Sequence, residues 1–288
     1  MAKGLKHGAV AIITGASSGI GKDLAIQLAK KYKARLVINA RSDDALNETA
    51  SEIKRVGGEV VTVCGDIADK TVSARLVDLC KSTYGKVDIL VNNAGFAKPG
   101  PMPSLTVDDW RHVFEVNFFA PLELTYALLP DFMASDSAKV VNIASVAGKL
   151  AFPGSVCYAS SKFALTGFSE GMAAELGPKG IDVITVCPGL VRTDFFKKNK
   201  NAQDITAMAQ ENTFQGWVVK NFVSISSEEA ALDILKACER GGSHEIILTA
   251  PGKIIERMTG ICPPAAHWLS KFVPADRGPR ETQPPDNK

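Results

Sequence analysis

Ala9-Val10-Ala11-Ile12-Ile13-Thr14-Gly15-Ala16-Ser17-Ser18-Gly19-Ile20-Gly21 decides the fold of this chain. Its first five residues are apolar without alternation, the pattern of a strand buried on both faces. The glycines that follow, spaced Gly15-x-x-x-Gly19-x-Gly21, fit a tight turn from strand into helix. Gly15 permits the sharp exit, Gly19 lets backbone approach a pyrophosphate, and Gly21 lets helix and sheet pack closely. The amides of Ser17, Ser18 and Ile20 lie where a helix N-terminus meets phosphate oxygens. The predicted helix carries Leu24, Ile26, Leu28 and Ala29 and ends near Lys33.

The same alternation runs on. Further strands are predicted at Leu36-Val37-Ile38, Val60-Val61-Thr62-Val63, Ile89-Leu90-Val91, Val140-Val141-Asn142-Ile143, Val183-Ile184-Thr185-Val186 and Glu245-Ile246-Ile247-Leu248. Continuous Val/Ile runs separated by helical segments indicate an α/β fold. The prediction is a single doubly wound Rossmann domain: a central parallel sheet of about seven strands, helices on both faces. Right-handed crossovers place its ligand crevice at the carboxyl ends of the strands. The domain is expected over residues 1–275, followed by a polar, proline-rich tail at 276–288 that is expected to be disordered.

Composition narrows the function. Hydrophobic residues make up 45% and charged residues 22% of the 288 residues, as in a globular protein. A net charge of +2 gives no steering toward nucleic acid. No apolar run approaches the roughly 20 residues of a membrane span. The N-terminus lacks an apolar signal core, so a cytoplasmic location is expected. The six cysteines and four histidines show neither C-x-x-C nor metal-ligand spacing, which favours reduced thiols and no metal.

Tyr158-Ala159-Ser160-Ser161-Lys162 carries the chemistry. A tyrosine and a lysine four apart share one helix face. A nearby ammonium favours phenolate, so the phenol can trade a proton near neutral pH. With a phosphate-binding turn in the same chain, hydride transfer at a carbonyl is the implied reaction. Asp66-Ile67, after the third strand, offers a carboxylate to an adenine edge or is a solvated turn. Asn92-Asn93-Ala94-Gly95, after the fourth, ties strand ends together and leaves room for a flat ligand, or is a plain turn.

These residues resemble the short-chain dehydrogenase/reductase family. The matching elements are Thr14 to Gly21, Asn92 to Gly95, Asn117, Ser145, Tyr158 to Lys162 and Pro188-Gly189-Leu190-Val191-Arg192-Thr193, in family order over roughly residues 8–250. The resemblance implies a nicotinamide cosubstrate and a Ser-Tyr-Lys-Asn site. Tyr158 would be general acid in reduction and base in oxidation, and Lys162 would hold the nicotinamide ribose and lower the phenol pKa. Ser145 would stabilise the developing oxyanion, and Asn117 would anchor a water leading from Lys162. Pro188 and Gly189 would shape the loop under the nicotinamide, with Val191 and Thr193 near the carboxamide. The family commonly forms homodimers or homotetramers, here through the small residues Ala164, Gly167, Gly171, Ala173 and Ala174.

Cofactor choice turns on Asn39-Ala40-Arg41-Ser42. Ala40 stands where an NAD-type aspartate would repel a 2′-phosphate. Arg41 can pair with that phosphate and Ser42 can add a hydroxyl, so NADP (NADPH) is expected. Ser18 departs from the basic residue that many NADP-dependent relatives carry there.

Residues 192–223 are expected to form a substrate lid with Phe195, Phe196, Phe214, Trp217 and Phe222, which suits an apolar small-molecule carbonyl or alcohol. Residues 251–275 form a partly apolar extension with Ile254, Ile255, Met258, Ile261, Trp268, Leu269 and Phe272. Internal or intersubunit packing is favoured for it over a membrane surface, because Glu256 and Arg257 interrupt the face and no lysine cluster accompanies it. The leading reading is an NADP-dependent carbonyl reductase. A 3-oxoacyl-thioester reductase and a catalytically silent NADP-binding regulator are the alternatives.

Overall fold

Every residue of β1 (Val10–Thr14) is buried, and β1 lies in the interior of a seven-stranded sheet. The computed structural model describes residues 4–135, 137–193 and 223–270. The sheet also holds β2 (Arg35–Ala40), β3 (Glu59–Cys64), β4 (Ile89–Asn92), β5 (Lys139–Ile143), β6 (Asp182–Cys187) and, after a separate pair, β9 (His244–Ile247). Its order is β3-β2-β1-β4-β5-β6-β9 and each pairing is parallel. The separate pair is β7 (Leu190–Arg192) with β8 (Ser224–Ser226), also parallel, which the hydrophobic pattern did not predict. Three-residue strands hold too few side chains to show a period.

Successive residues of a strand face opposite sides, and the core divides accordingly. Ala11, Ile13, Leu36 and Ile38 pack under α1 (Gly19–Tyr32), α2 (Asp43–Arg55) and, later in the chain, α7 (Ser227–Arg240), through Leu24, Leu46, Ile53 and Ile234. Val10, Ile12, Val37 and Leu90 pack under α3 (Lys70–Tyr84), α5 (Ala120–Ala134) and α6 (Val156–Leu176), through Leu76, Leu124, Phe132 and Met172. The doubly wound architecture expected from the Val/Ile runs is the observed one.

Helix starts follow local chemistry. Thr106 and Asp109 form a reciprocal capping box at the start of α4 (Val107–Phe114), and Ser226 and Glu229 do the same for α7. The order of the strands leaves β1 and β4 adjacent although two β-α units separate them in sequence. After β3 the chain crosses to the other side of β1, and that switch opens the crevice at the strand ends. Beyond β9 the chain continues as α8 (Ala250–Ile261) and α9 (Pro263–Ser270). The aromatics expected in the lid and the tail at 276–288 lie outside the described residues.

Candidate active site

The switch point is held open by a small set of polar bonds. Asn93 Nδ2 donates to the carbonyls of Thr14 and Gly15, each at 2.9 Å. Thr14 Oγ1 accepts from the amides of Asn93 at 3.1 Å and Ala94 at 3.0 Å. The ends of β1 and β4 are thereby fixed to each other, the tying role read from the sequence. Gly15 has φ +66°, a conformation that costs glycine little. An added Cβ at Gly21 would come within 2.6 Å of the Gly15 carbonyl and would strike Asn93 Nδ2. This backbone crossing tolerates no side chain.

Asn93→Ala removes two hydrogen bonds that each contribute about 0.5–1.5 kcal/mol net. The variant is expected to lose about 1–3 kcal/mol in urea denaturation and to bind nucleotide more weakly. An unchanged midpoint and affinity would show that the strand ends hold without it.

The helix that follows suits an anion. Ser18 stands at the N-cap of α1 with no side-chain cap bond, and the first turn holds no acidic residue. Amides and dipole there lack a resident carboxylate, which fits a phosphate. Across the crevice Arg41 lies 4.0 Å from Asp66, with its side chain 68% exposed.

The residues expected to carry the chemistry stand just past β5, on α6 and on the segment between α4 and α5. Ser145 lies two residues beyond β5 and caps a three-residue turn at Val146–Gly148, its Oγ accepting from the Ala147 amide at 3.1 Å. Tyr158 sits in the first turn of α6, 7% exposed, and its hydroxyl bonds the Ser145 side chain. Lys162 lies one turn on, with Nζ 5.9 Å from the centroid of the Tyr158 ring, and donates to the Ile143 carbonyl at 2.8 Å.

Burial dominates the electrostatics of this pair. Desolvation pushes the Tyr158 phenol up to about 12, against a smaller lowering by its Ser145 hydrogen bond. Desolvation likewise lowers the Lys162 ammonium to about 8. This corrects the expectation that the ammonium depresses the phenol. Lys162 donates to the Ile143 carbonyl, and removal from water sets the direction for both groups in the cofactor-free site.

Asn117 is fully buried within a π-helical segment, Glu115–Phe119, that the sequence pattern did not reveal. Such insertions often mark functional sites. Its Nδ2 donates to the Phe96 carbonyl and to Ser161 Oγ, both at 3.0 Å, and its Oδ1 accepts from the Phe96 amide at 3.0 Å. Both side-chain N–H bonds are therefore spent on protein. Asn117 braces the loop after β4 against α6, and a water partner is left only Oδ1 or the main chain.

A cavity of about 360 Å3 gathers most of the expected residues. Gly15, Ser17, Ser18, Gly19 and Ile20 line one end, with Arg41, Asp66 and Ile67 beside them. Asn93, Ala94 and Gly95 form the middle. Ser145, Tyr158, Lys162, Pro188, Gly189 and Val191 close the other end, and Thr193 reaches to Gly19, where an added Cβ would lie 3.0 Å from Thr193 Cγ2. Gly21, Ser42 and Asn117 do not line it: Gly21 supports the cradle, Ser42 is an exposed N-cap of α2, and Asn117 braces from behind.

The sequence reading missed Asn39, Gly65, Ile143 and Ala144, all at or just past strand carboxyl ends, where the strand-end rule points. It also missed Phe96 and Val116. Only the loop conformation and the π-helical register bring those two in. Behind Ser145, the Cys187 thiol contacts the Ser145 main chain and Glu245, and burial pushes it up to about 12, leaving an inert thiol.

Comparison with known proteins agrees with this geometry. The family described as short chain dehydrogenase matches residues 9–204, and the chain belongs to that family of oxidoreductases. A 3-oxoacyl-[acyl-carrier-protein] reductase from Synechocystis is 33% identical over 196 residues, covering 68% of this chain and 79% of the relative. A 7α-hydroxysteroid dehydrogenase, solved with NADH and 7-oxo glycochenodeoxycholic acid, superposes with a TM-score of 0.75 at 30% identity, covering 85% of this chain and 94% of its own. The L-sorbose reductase of Gluconobacter frateurii, solved with NADPH and L-sorbose, gives 0.73 at 27% identity, covering 87% and 98%.

Proposed function

We propose that this protein is an NADP-dependent oxidoreductase that reduces an apolar ketone or aldehyde to its alcohol, or runs the reverse, with Tyr158 as general acid and base. The observation that carries the reading is the Tyr158 hydroxyl bonded to Ser145, with Lys162 one helical turn away, at one end of a cavity whose other end is a phosphate-type helix turn. The nicotinamide supplies or accepts the hydride when bound. The chain's own groups do the rest. Ser145 Oγ and the Tyr158 hydroxyl together offer hydrogen bonds to a substrate carbonyl oxygen. A phenol held protonated by burial gives its proton to the forming alkoxide. Lys162 would leave the Ile143 carbonyl to hold ribose hydroxyls, and its charge then steadies the phenolate that proton loss creates.

The residues present fit the cofactor. The Gly15–Gly21 crossing admits backbone near a pyrophosphate, and Gly95 lines the cavity where an added Cβ would lie 3.1 Å from Asn117 Oδ1 and 3.5 Å from Lys162 Nζ. Ala40 at the end of β2 and the exposed Arg41 support NADP over NAD. Solved relatives hold NADH in one case and NADPH in the other, and the choice here is read from Arg41. Arg41→Ala is expected to weaken NADPH binding by about 1–3 kcal/mol and to leave NADH nearly unchanged. Fluorescence titration of both nucleotides checks this, and an equal loss for the two would remove the assignment.

The apolar-substrate reading rests on the Phe96, Val116 and Ile143 walls and on the steroid bound by one relative. The acyl-carrier-protein reductase among the relatives keeps a 3-oxoacyl thioester as the second reading. A panel of ketones, aldehydes and 3-oxoacyl thioesters, read at the NADPH absorbance, separates them. Turnover of thioesters alone would overturn the first reading, and failure of every carbonyl would overturn both. A cytoplasmic homodimer or homotetramer completes the proposal. Tyr126 and Met133 stand 65% and 50% exposed along α5, Phe163 is exposed on α6, and Gly167 and Gly171 leave room for close helix contact.

A further inference from the structure

We propose that the exposed face of α8 and α9 is a docking surface for an anionic lipid interface. Ile254 and Ile261, 60% and 85% exposed, stand seven residues apart on α8, and Trp268 on α9, beyond the non-helical Cys262, is 58% exposed. Within α8 the seven-residue spacing puts both isoleucines on one face. Lys253 and Arg257 are exposed with them. Glu256, the single acid between residues 250 and 270, is half-buried. The carboxylate that interrupts the face in the linear sequence is thus turned away from it. Among the described residues of this face, both exposed charges are positive.

That composition selects the partner. Isoleucines and a tryptophan beside a lysine and an arginine match the boundary between acyl chains and phosphate headgroups. The long basic side chains reach outward to phosphate while the apolar ones insert. A second copy of this chain fits less well. A twofold contact repeats the same patch on both sides, so it would bring Lys253 and Arg257 toward their own copies with no acid to meet them.

The surface lies close to the chemistry. Thr249 caps α8, its Oγ1 accepting from the Gly252 amide at 3.3 Å. Gly252 abuts the catalytic turn so closely that an added Cβ would lie 2.7 Å from Val146 Cγ1. Docking would hold the Ser145 end of the cavity near the interface where an apolar carbonyl compound partitions. This last link rests on the apolar-substrate reading; the docking itself does not.

Co-sedimentation of the full chain with vesicles tests the proposal. The protein is expected to pellet with phosphatidylcholine–phosphatidylglycerol vesicles and to stay in solution with phosphatidylcholine alone. Ile261→Ser with Trp268→Ser should cut partitioning at least about tenfold, since each loses its inserted apolar area. Lys253→Glu with Arg257→Glu should abolish the preference for the anionic vesicle. Unchanged urea midpoints and carbonyl turnover in buffer show that the variants fold, and keep this test separate from the proposed activity. Absence of pelleting with either vesicle overturns the proposal, as does pelleting that ignores all four substitutions. A smaller particle by light scattering in the variants, with no vesicle binding by the parent, would make this face a subunit contact instead.

Discussion

Tyr158→Phe is expected to lower carbonyl turnover by roughly 10²-fold or more, the usual scale for losing a positioned general acid. The fold should survive, because the ring is buried and phenylalanine keeps its volume. Ser145 loses one partner but still accepts from the Ala147 amide. Nucleotide affinity should stay near wild type, since the phosphate turn and Arg41 lie at the other end of the cavity. Lys162→Ala should behave differently and damage both turnover and affinity, because one ammonium serves ribose and phenolate. Single-turnover hydride transfer is the decisive measurement. A wild-type rate in Tyr158→Phe would show that another group delivers the proton, and the proposed mechanism would fall.

The second large effect is in pH. The phenol of the cofactor-free site is pushed up to about 12, so it stays protonated through the neutral range. Protonated tyrosine is the acid that reduction needs, and reduction should be nearly flat from pH 6 to 9 as far as this group sets it. Oxidation needs the phenolate, whose fraction grows tenfold per pH unit below the pKa. The oxidative rate should therefore climb about tenfold per unit until the apparent pKa of the complex is reached. Bound oxidised nicotinamide and a recruited ammonium pull that apparent value below 12. An oxidative rate independent of pH across this range would remove Tyr158 as the base.

The same pair carries a stability signature of opposite signs. Lys162 falls from 10.5 to about 8 on folding, so between these values the unfolded chain binds more protons and stability rises with pH. Tyr158 rises from 10.0 to about 12, so between these values the folded chain binds more protons and stability falls as pH increases. The buried thiols of Cys80, Cys187 and Cys238, each pushed up to about 12, lower stability above pH 9 in parent and variant alike. The Lys162 contribution is therefore read as the difference in urea midpoints between parent and Lys162→Met, which should grow in the parent's favour between pH 8 and 10.5. A difference that does not change with pH would assign the proton uptake to other groups.

How much of this was legible in advance depends on the range of the interactions. Buried parallel strands announce themselves as unbroken runs such as Ala9–Ile13, because burial on both faces excludes polar residues locally. The glycine spacing at 15, 19 and 21, and the pairing of Tyr158 with Lys162, are short-range as well, fixed by one turn or one helix face. The sequence by itself therefore determined the sheet, its carboxyl-end crevice and most of the side chains that line it. Distant contacts decided the rest. Phe96 and Val116 reach the cavity through the conformation of a loop and a π-helical insertion braced by Asn117. The phenol and the ammonium each shift away from their own charged form because neighbouring elements remove both from water, a cost set by three-dimensional burial rather than by their spacing. Glu256 leaves the outer face of α8 for the same kind of reason: helix rotation is set by what packs beneath, and four letters of sequence cannot state it.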